Sequence, residues 1–235
     1  LGISLDARNK QLVSMIKNTA ALRKMLVKEQ LVARGIKDPR VLAAMSMVPR
    51  ELFVPEHLYD EAYEDRPLPI GASQTISQPY IVAFMVEALC LQGGEKILEV
   101  GAGSGYAAAV LSKIANEVFT IERIPRLVRL AADNLAASGC ENVRVRHGDG
   151  SQGWIEEAPF DAILVSAGAP SVPTVLIQQL KIGGHIVVPV GQDLSCQELV
   201  RITRIADQEF KREDIAPVRF VPLIGEDGWA NSIRD

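Results

Sequence analysis

The chain contains few of the residues that build disulfide frameworks and metal sites. Its 235 residues include only three cysteines, Cys90, Cys140 and Cys196. Because they are far apart and odd in number, they favour reduced thiols over a set of disulfides. Histidines are equally few, three in all, and no two have the spacing of metal ligands. We therefore expect no dedicated metal site.

Long apolar runs and an excess of positive charge are also absent. No apolar stretch reaches the length of a membrane span, and the first residues lack the basic, apolar and small-residue order of a signal peptide. These absences predict a protein without membrane contacts and with a cytoplasmic location. The formal net charge of −4 gives no general attraction to nucleic acid, so we expect no nucleic-acid partner.

The chain does have a large apolar fraction, 48%, over a length that can bury a substantial core. We expect one main domain at residues 51–225, an N-terminal helical extension at 1–50 and a C-terminal tail at 226–235. Within the extension, Asp38 followed by Pro39 is the pair that typically caps and opens a helix. The N-terminal helix is also a surface through which copies of the chain could form an oligomer.

Short β-branched runs alternate with helical patterns along the main domain. This alternation predicts an α/β fold with a doubly wound, mostly parallel sheet and helices on both faces. Two later runs, 197–205 and 218–223, are expected to give the sheet an antiparallel C-terminal part. The parallel strands are predicted at 96–100, 117–121, 142–147, 160–166 and 184–190, with helices near 105–115, 124–138 and 172–180.

The most informative segment is 98–106, Leu-Glu-Val-Gly-Ala-Gly-Ser-Gly-Tyr, where a predicted strand runs into three alternating glycines. Gly101 and Gly103 allow the backbone to approach a ligand that no side chain would tolerate. A dinucleotide fingerprint needs its third glycine at the position of Tyr106. The observed spacing, G-x-G-x-G, is the form usual in S-adenosylmethionine enzymes. We therefore predict that this loop, with Ser104, binds S-adenosyl-L-methionine, which leaves as S-adenosyl-L-homocysteine.

Three acidic residues lie where predicted strands end. Glu122 follows the glycine loop by about twenty residues, where an acid can accept both ribose hydroxyls. Asp149, preceded by Gly148, closes the third strand. Alone this pair would be an Asp-Gly turn, but beside Glu122 we expect both to contact the cofactor, with Asp149 accepting the adenine amino group. Glu99 is either a strand-end acid satisfied by backbone donors or a partner of the cofactor's ammonium group, directly or through water.

A second polar segment, residues 69–80, is predicted to be a loop before an apolar helix at 79–90. Ser77 has the properties of the helix N-cap, and Pro79 those of a first-turn residue. A cap role and a role in chemistry can coexist at Ser77.

Several motifs together resemble the protein-L-isoaspartate O-methyltransferase family over roughly residues 25–224. The Gln-Thr-Ile-Ser-Gln-Pro run is the specific part, because many methyltransferases share the glycine loop. The matching motifs are Leu-Pro-Ile-Gly-x-x-Gln-Thr-Ile-Ser-Gln-Pro-Tyr at 68–80, Glu-Val-Gly-Ala-Gly-Ser-Gly-Tyr at 99–106, Arg-His-Gly-Asp-Gly at 146–150, Phe-Asp-Ala-Ile at 160–163 and Val-Arg-Phe-Val-Pro-Leu at 218–223. The segments before residue 25 and from 225 to 235 depart from the family's pattern.

The resemblance implies a Rossmann-like methyltransferase fold with N-terminal helices and puts the family's active-site serine at Ser77. It implies cofactor contacts at Thr75 and Ile76, and a peptide site lined by Ser77, Val221 and Pro222. The implied reaction moves a methyl group from S-adenosylmethionine to the free α-carboxylate of L-isoaspartyl residues in damaged proteins and peptides, and so initiates their repair. A carboxylate with a reference pKa of about 4 is ionised at neutral pH, so no general base is needed. Ser77 is expected to orient the acceptor oxygen.

Other functions fit the residues less well. A nucleic-acid methyltransferase would share residues 97–150, but the chain has neither an Asn-Pro-Pro-Tyr type of segment after the fourth strand nor a basic stripe with interleaved aromatics. A metal-dependent O-methyltransferase needs grouped acids, and an NAD oxidoreductase needs different glycine spacing. A cofactor-binding module without catalysis is the alternative from another class, against which the intact 74–79 segment argues.

Overall fold

The structure is a computed structural model that describes residues 19–230. Parts of the predicted extension and tail, residues 1–18 and 231–235, lie outside the described range. The strands within it are β1 (Leu68–Gly71), β2 (Gln74–Ile76), β3 (Lys96–Val100), β4 (Glu117–Glu122), β5 (Val143–His147), β6 (Phe160–Val165), β7 (Leu180–Asp193), β8 (Cys196–Ala206) and β9 (Glu209–Val218). The α-helices are α1 (Pro39–Met47), α2 (Pro79–Ala88), α3 (Tyr106–Ser112), α4 (Pro125–Ala137) and α5 (Thr174–Gln178).

A central sheet has the strand order β5-β4-β3-β6-β7-β8-β9. Neighbours from β5 to β7 are parallel, and β8 and β9 are added antiparallel. This confirms the predicted α/β fold with a mostly parallel sheet and an antiparallel C-terminal part. The strand order reverses between β3 and β6, where Val100 pairs with Val165. In open α/β sheets such a reversal leaves a crevice for ligands at the carboxyl ends of the strands.

Two apolar cores cover the two faces of the sheet. Alternate residues of a strand point to opposite faces, and β3 shows this directly. Ile97 packs into the core that includes α2, α3 and α4, whereas Leu98 and Val100 pack into the core that includes Leu176 of α5. Among residues 19–230, no helix combines the length and apolar character needed to cross a bilayer.

The chain before the sheet is largely helical. Residues 19–25 are also helical, and two short helical turns, Leu26–Leu31 and Val32–Arg34, follow them before α1. The predicted start of α1 is confirmed, because Asp38 Oδ1 accepts the N–H of Arg40 at 2.8 Å and Pro39 opens the helix. Side chains from the turn Leu26–Leu31 and from α1 are buried in the core that includes α2, so this segment packs onto the main domain. The predicted domain boundary at residue 50 stays a prediction.

The segment predicted as a loop at 69–80 contains an antiparallel hairpin, so that prediction is wrong for its first half. Leu68 pairs with Ile76 across β1 and β2. Ala72 and Ser73 make the turn with φ of +52° and +55°. The hairpin gives little signal in the sequence because its strands are only four and three residues long and include Pro69.

The prediction of a strand at 218–223 is also wrong, because the last strand is β9, which ends at Val218 and pairs with β8. The following residues run past Gly168, with a single bridge from Gly168 to Pro222. β9 is an exposed edge strand rich in charged residues, a composition that discourages pairing with other chains. Such a strand shows no apolar alternation, which is why the sequence pattern missed it.

Candidate active site

A cavity lies at the carboxyl edge of the sheet, beside the reversal of strand order. We call it the sheet-edge cavity. It is lined by residues 74–77, 82, 99–104, 106–107, 121–124, 150, 166–167 and 221–224. A second space, the adjoining cleft, is lined by residues 67, 75, 77–78, 81, 166, 194 and 217–222. The two spaces share five lining residues, which are Thr75, Ser77, Ser166, Val221 and Pro222.

The glycine loop between β3 and α3 forms one wall of the sheet-edge cavity. Gly101 and Gly103 have φ of +93° and +55°, a region that glycine adopts without strain. A Cβ at Gly101 would lie 3.6 Å from Cβ of Ser166, and one at Gly103 would lie 3.4 Å from Cδ1 of Ile70. The loop therefore passes closely between the end of β6 and the hairpin. Ser104 lines the same wall and is almost fully buried.

Glu122 ends β4 and fixes the shape of the glycine loop. Its Oε2 accepts the backbone N–H of Gly103 at 2.9 Å, and its Oε1 accepts the N–H of Ile124 at 2.9 Å. Each carboxylate oxygen has two lone pairs, so each keeps one acceptor site for a further donor. The side chain lines the sheet-edge cavity. A ligand hydroxyl is the kind of donor that would complete this arrangement.

Glu99 is fully buried in β3 and also lines the sheet-edge cavity. Thr120 Oγ1 donates to its Oε2 at 2.5 Å, whereas Oε1 has no hydrogen-bond partner among the described residues. Burial raises the pKa of Glu99 to about 8, with a further contribution from the negative charge of Glu122 and an opposing one from the Thr120 hydrogen bond. A buried acceptor without a donor is costly, and a ligand ammonium group would satisfy it.

The hairpin places Ser77 where the sheet-edge cavity meets the adjoining cleft. Thr75 lines both spaces, and Ile76 lines the cavity with a buried side chain. These three residues continue from β2 toward α2, so the hairpin presents a short polar edge to both spaces. Their positions are consistent with contacts to two different ligands.

Ser77 is not the helix cap that the sequence pattern predicted. Helix α2 begins at Pro79 with Gln78 at the cap position, and Gln78 makes no side-chain cap bond. The N–H of Tyr80 donates instead to Oδ1 of Asp65 at 3.0 Å. The prediction failed because the cap comes from a distant segment, and a local pattern cannot show that.

Gly148 and Asp149 follow β5 and line an adjacent pocket with Arg123, His147, Ile224, Gly225 and Trp229. Asp149 Oδ1 accepts the N–H and the hydroxyl of Ser151 at 2.9 and 2.7 Å. Its Oδ2 accepts the N–H of Glu226 at 2.8 Å, which leaves one lone pair. This pair therefore lies beside the sheet-edge cavity, and Arg123 and Ile224 line both the cavity and this pocket.

Val221 and Pro222 belong to a C-terminal segment that crosses the carboxyl edge of the sheet. Gly168 N–H donates to the carbonyl of Val221, and Leu223 N–H donates to the carbonyl of Gly168, both at 2.8 Å. These bonds hold the segment next to the end of β6. Both predicted peptide-site residues thereby line the sheet-edge cavity and the adjoining cleft.

Sequence reasoning missed Ser166, which lines the site, and Asp65, which holds the start of α2 beside it. Ser166 follows β6 directly and lines both spaces, and the rule that ligands gather at the carboxyl ends of parallel strands could have identified it. Asp65 lies in a bend between the short helical turn Glu56–Glu61 and β1, where no motif marks it. Within residues 19–230, no three His, Cys, Asp or Glu side chains are grouped as metal ligands would be.

A family model described as protein-L-isoaspartate(D-aspartate) O-methyltransferase matches residues 21–228. Protein-L-isoaspartate O-methyltransferase 1 of Rhodopseudomonas palustris strain HaA2 is 61% identical over 212 residues, which are 90% of this chain and 86% of the relative. Protein-L-isoaspartate O-methyltransferase 2 of Marinobacter nauticus is 59% identical over 208 residues, which are 88% of this chain and 95% of the relative.

Solved structures give the same result. A structure described as a protein-L-isoaspartate O-methyltransferase has a TM-score of 0.79 at 31% identity and covers 88% of this chain and 67% of its own. A Plasmodium falciparum structure with the same family description, in complex with S-adenosyl-L-homocysteine, has a TM-score of 0.75 at 28% identity and covers 88% of this chain and 98% of its own.

Proposed function

The chain belongs to the protein-L-isoaspartate(D-aspartate) O-methyltransferase family, and from this premise we propose which residues carry the reaction. The protein transfers a methyl group from S-adenosyl-L-methionine to the free α-carboxylate of L-isoaspartyl residues in damaged proteins and peptides, which initiates their repair. The position of Ser77 carries the proposal, because this residue lines both the sheet-edge cavity and the adjoining cleft. A cofactor in the cavity and a peptide in the cleft would meet there.

Residues around the sheet-edge cavity suit the cofactor's groups. When bound, S-adenosylmethionine supplies an electrophilic methyl group on its sulfonium. Gly101, Gly103 and Ser104 offer backbone that can approach it closely. Glu122 has one lone pair left on each oxygen for the ribose hydroxyls, and Glu99 has an unpartnered buried oxygen for the ammonium group.

We propose further cofactor contacts on two sides of the sheet-edge cavity. Thr75 and Ile76 lie on the hairpin wall of the cavity and would hold the cofactor from there. Gly148 and Asp149 lie beyond β5, and the remaining lone pair on Asp149 Oδ2 is the acceptor we assign to the adenine amino group.

Ser77 orients the acceptor and has no nucleophilic role. The α-carboxylate is already ionised at neutral pH, so the reaction needs alignment more than proton transfer. The Ser77 hydroxyl donates a hydrogen bond to one carboxylate oxygen and so directs the other. Because charge disappears when the carboxylate meets the sulfonium, walls that exclude water favour the step. Val221 and Pro222 supply such a wall and hold the main chain of the peptide.

We also propose a cytoplasmic location and an oligomer contact at the N-terminal helices. The three cysteines are free thiols, which suits a reducing compartment. Met25 and Val32, which flank the turn Leu26–Leu31, and Met47 at the end of α1 are about half exposed or more, with exposed fractions of 51%, 49% and 60%. These apolar side chains are the surface through which a second copy would pack.

A pair of peptides tests the function. One carries an L-isoaspartyl residue and the other carries aspartate at the same position, and kcat/KM is measured for each with labelled cofactor. An isoaspartyl linkage leaves the α-carboxylate on a short arm, whereas aspartate carries its carboxylate one methylene out from the main chain. Since a misplacement of about 1 Å can cost about a hundredfold in rate, we expect at least a hundredfold preference for the isoaspartyl peptide. Comparable rates, or preference for a nucleic acid or a free small acid, would contradict the proposal.

A further inference from the structure

Helix α2 begins at Pro79, two residues after Ser77, and its first turn needs acceptors for exposed N–H groups. A serine at such a position commonly supplies one. Here the acceptor for Tyr80 N–H is Asp65, which comes from a segment before the hairpin. The Ser77 hydroxyl has no hydrogen-bond partner among residues 19–230, so it is not committed to the helix.

Asp65 also controls the residue next to Ser77. Its Oδ2 accepts the side-chain amide of Gln78 at 2.7 Å, and its backbone carbonyl accepts the same amide at 3.0 Å. Arg34 forms an ion pair with the same carboxylate and lies over the ring of Tyr80, with its Cζ 3.6 Å from the ring centroid. The Asp65 side chain is only 9% exposed, so these charge-assisted bonds are shielded from water.

The segment that carries Asp65 is itself fixed at both ends. Arg50 is fully buried, and its Nε donates to the carbonyl of Ala62 at 2.8 Å. Its Nη2 reaches the carbonyl of Arg66 at 3.5 Å. Asp65 therefore lies in a turn whose two ends are held by Arg50, and it points toward the start of α2.

We propose that Asp65 is a positioning residue for methyl transfer, and this inference rests on the proposed function. It caps α2 in place of Ser77 and holds Gln78, and so it leaves the Ser77 hydroxyl facing the junction of cavity and cleft. Without Asp65, the Tyr80 N–H lacks its acceptor, and the nearby Ser77 hydroxyl turns toward the helix to accept it. The acceptor carboxylate of the peptide then loses its donor.

A double-mutant cycle with Ser77 tests this role. We would measure kcat and KM on the isoaspartyl peptide, cofactor Kd by calorimetry and the melting temperature for wild type, Asp65→Ala, Ser77→Ala and the double variant. Asp65→Ala is expected to lower kcat at least about tenfold in the wild-type background but less than about twofold when Ser77 is already alanine, because residues acting as a unit are not additive. Cofactor Kd should change by less than about threefold, since Asp65 does not line the sheet-edge cavity.

Two further variants separate positioning from stability. Asp65→Asn keeps one acceptor for Tyr80 N–H, so its kcat should lie closer to wild type than that of Asp65→Ala, and it replaces the alanine variant in the cycle if that one does not fold. Asp38→Ala removes the equivalent cap from α1, away from both spaces, and should lower the melting temperature with kcat unchanged.

The outcomes distinguish a failure of the proposed function from a failure of the role assigned to Asp65. A wild-type protein that does not methylate the isoaspartyl peptide would overturn the proposed function and this inference with it. An active wild type in which Asp65 substitutions reduce kcat equally with and without Ser77 would overturn the inference alone, because Asp65 would then act on the fold and not on Ser77.

Discussion

At the residue scale, the hydroxyl of Ser77 is uncommitted within the described chain, and the neighbouring helix is capped by Asp65. A side chain that contributes nothing to the cap can be removed with little cost to the fold. The rate of methyl transfer, which depends on this side chain, should then change without a change in stability.

Ser77→Ala should lower turnover of an isoaspartyl peptide while leaving cofactor affinity and melting temperature close to wild type. One preorganised hydrogen bond at an oxyanion site is worth about 2.7–4 kcal/mol, and we expect the lower end or less because the carboxylate can find other donors. The measurement is kcat beside calorimetry and thermal unfolding. A lower melting temperature with full kcat would show that Ser77 serves the helix after all.

Glu99 gives a prediction about protons. Its pKa is raised to about 8 by burial, so in the free protein at pH 7 it is mostly protonated. A cationic ammonium group favours the ionised form, and cofactor binding at pH 7 should release about one proton. Calorimetry in two buffers of different ionisation enthalpy counts it. Glu99→Gln should abolish the release, and an equal count in both proteins would contradict the assignment.

The same shift predicts how the free protein responds to pH. The folded-state pKa of Glu99 is above the 4.5 of an unperturbed glutamate, so the folded protein binds more protons than the unfolded chain between pH 4.5 and about 8. The contribution of Glu99 to stability is full below pH 4.5 and is lost as the pH rises through about 8. Melting temperatures of Glu99→Gln should decline less over this range than those of wild type.

At the element scale, Glu122 joins the end of β4 to the glycine loop after β3. Two charge-assisted bonds to backbone N–H groups hold this junction, and each such bond is worth about 1.5–3 kcal/mol. The loop is therefore shaped by the neighbouring strand as well as by its own glycines.

Glu122→Ala should weaken cofactor binding at least about tenfold, because it removes both the hydroxyl acceptors and the support of the loop. Glu117→Ala is the matched control, since it lies at the opposite end of β4 and makes only an exposed ion pair with Arg144. Calorimetry on both variants decides. Equal cofactor affinity in Glu122→Ala and Glu117→Ala would show that the loop is a turn and not a binding surface.

Elements buried on both faces were predictable from the sequence. β3, β4 and β6 are apolar because helices cover both sides of the sheet, and the glycine loop and Glu122 follow from where those strands end. The short hairpin and the charged edge strand β9 were not predictable, because neither buries a continuous apolar face. The Asp65 cap was not predictable either, since it joins residues 15 positions apart through folding alone.

At the scale of the whole molecule, the C-terminal segment returns across the sheet and is held at several points. They include Gly168, after β6, and the pair of Asp149 and Ser151, after β5. Residues 221–224, which line the sheet-edge cavity, belong to this held segment. Residues 221–224 thus complete the sheet-edge cavity, whose other walls come from residues 74–167.

Gly225→Ala should disturb this closure. A Cβ there would lie 2.1 Å from Oδ1 of Asp149 and 2.5 Å from Oγ of Ser151, so the turn or these two side chains must move. We expect the peptide KM to rise severalfold as residues 221–224 shift. Glu226→Ala is the control, because only its backbone N–H takes part in the contact, and its KM should match wild type. An unchanged KM in Gly225→Ala would show that the turn does not position the wall.

Val221 and Pro222 face the sheet-edge cavity on one side and the adjoining cleft on the other. Because both spaces share this wall, a ligand that displaces the wall in one space changes the volume available to a ligand in the other. Thermodynamic linkage then requires that each occupant change the other's affinity by the same factor, whichever arrives first. The spent cofactor, still in place after transfer, would thereby change the affinity for the methyl ester, and the methyl ester would change the affinity for the spent cofactor by the same factor.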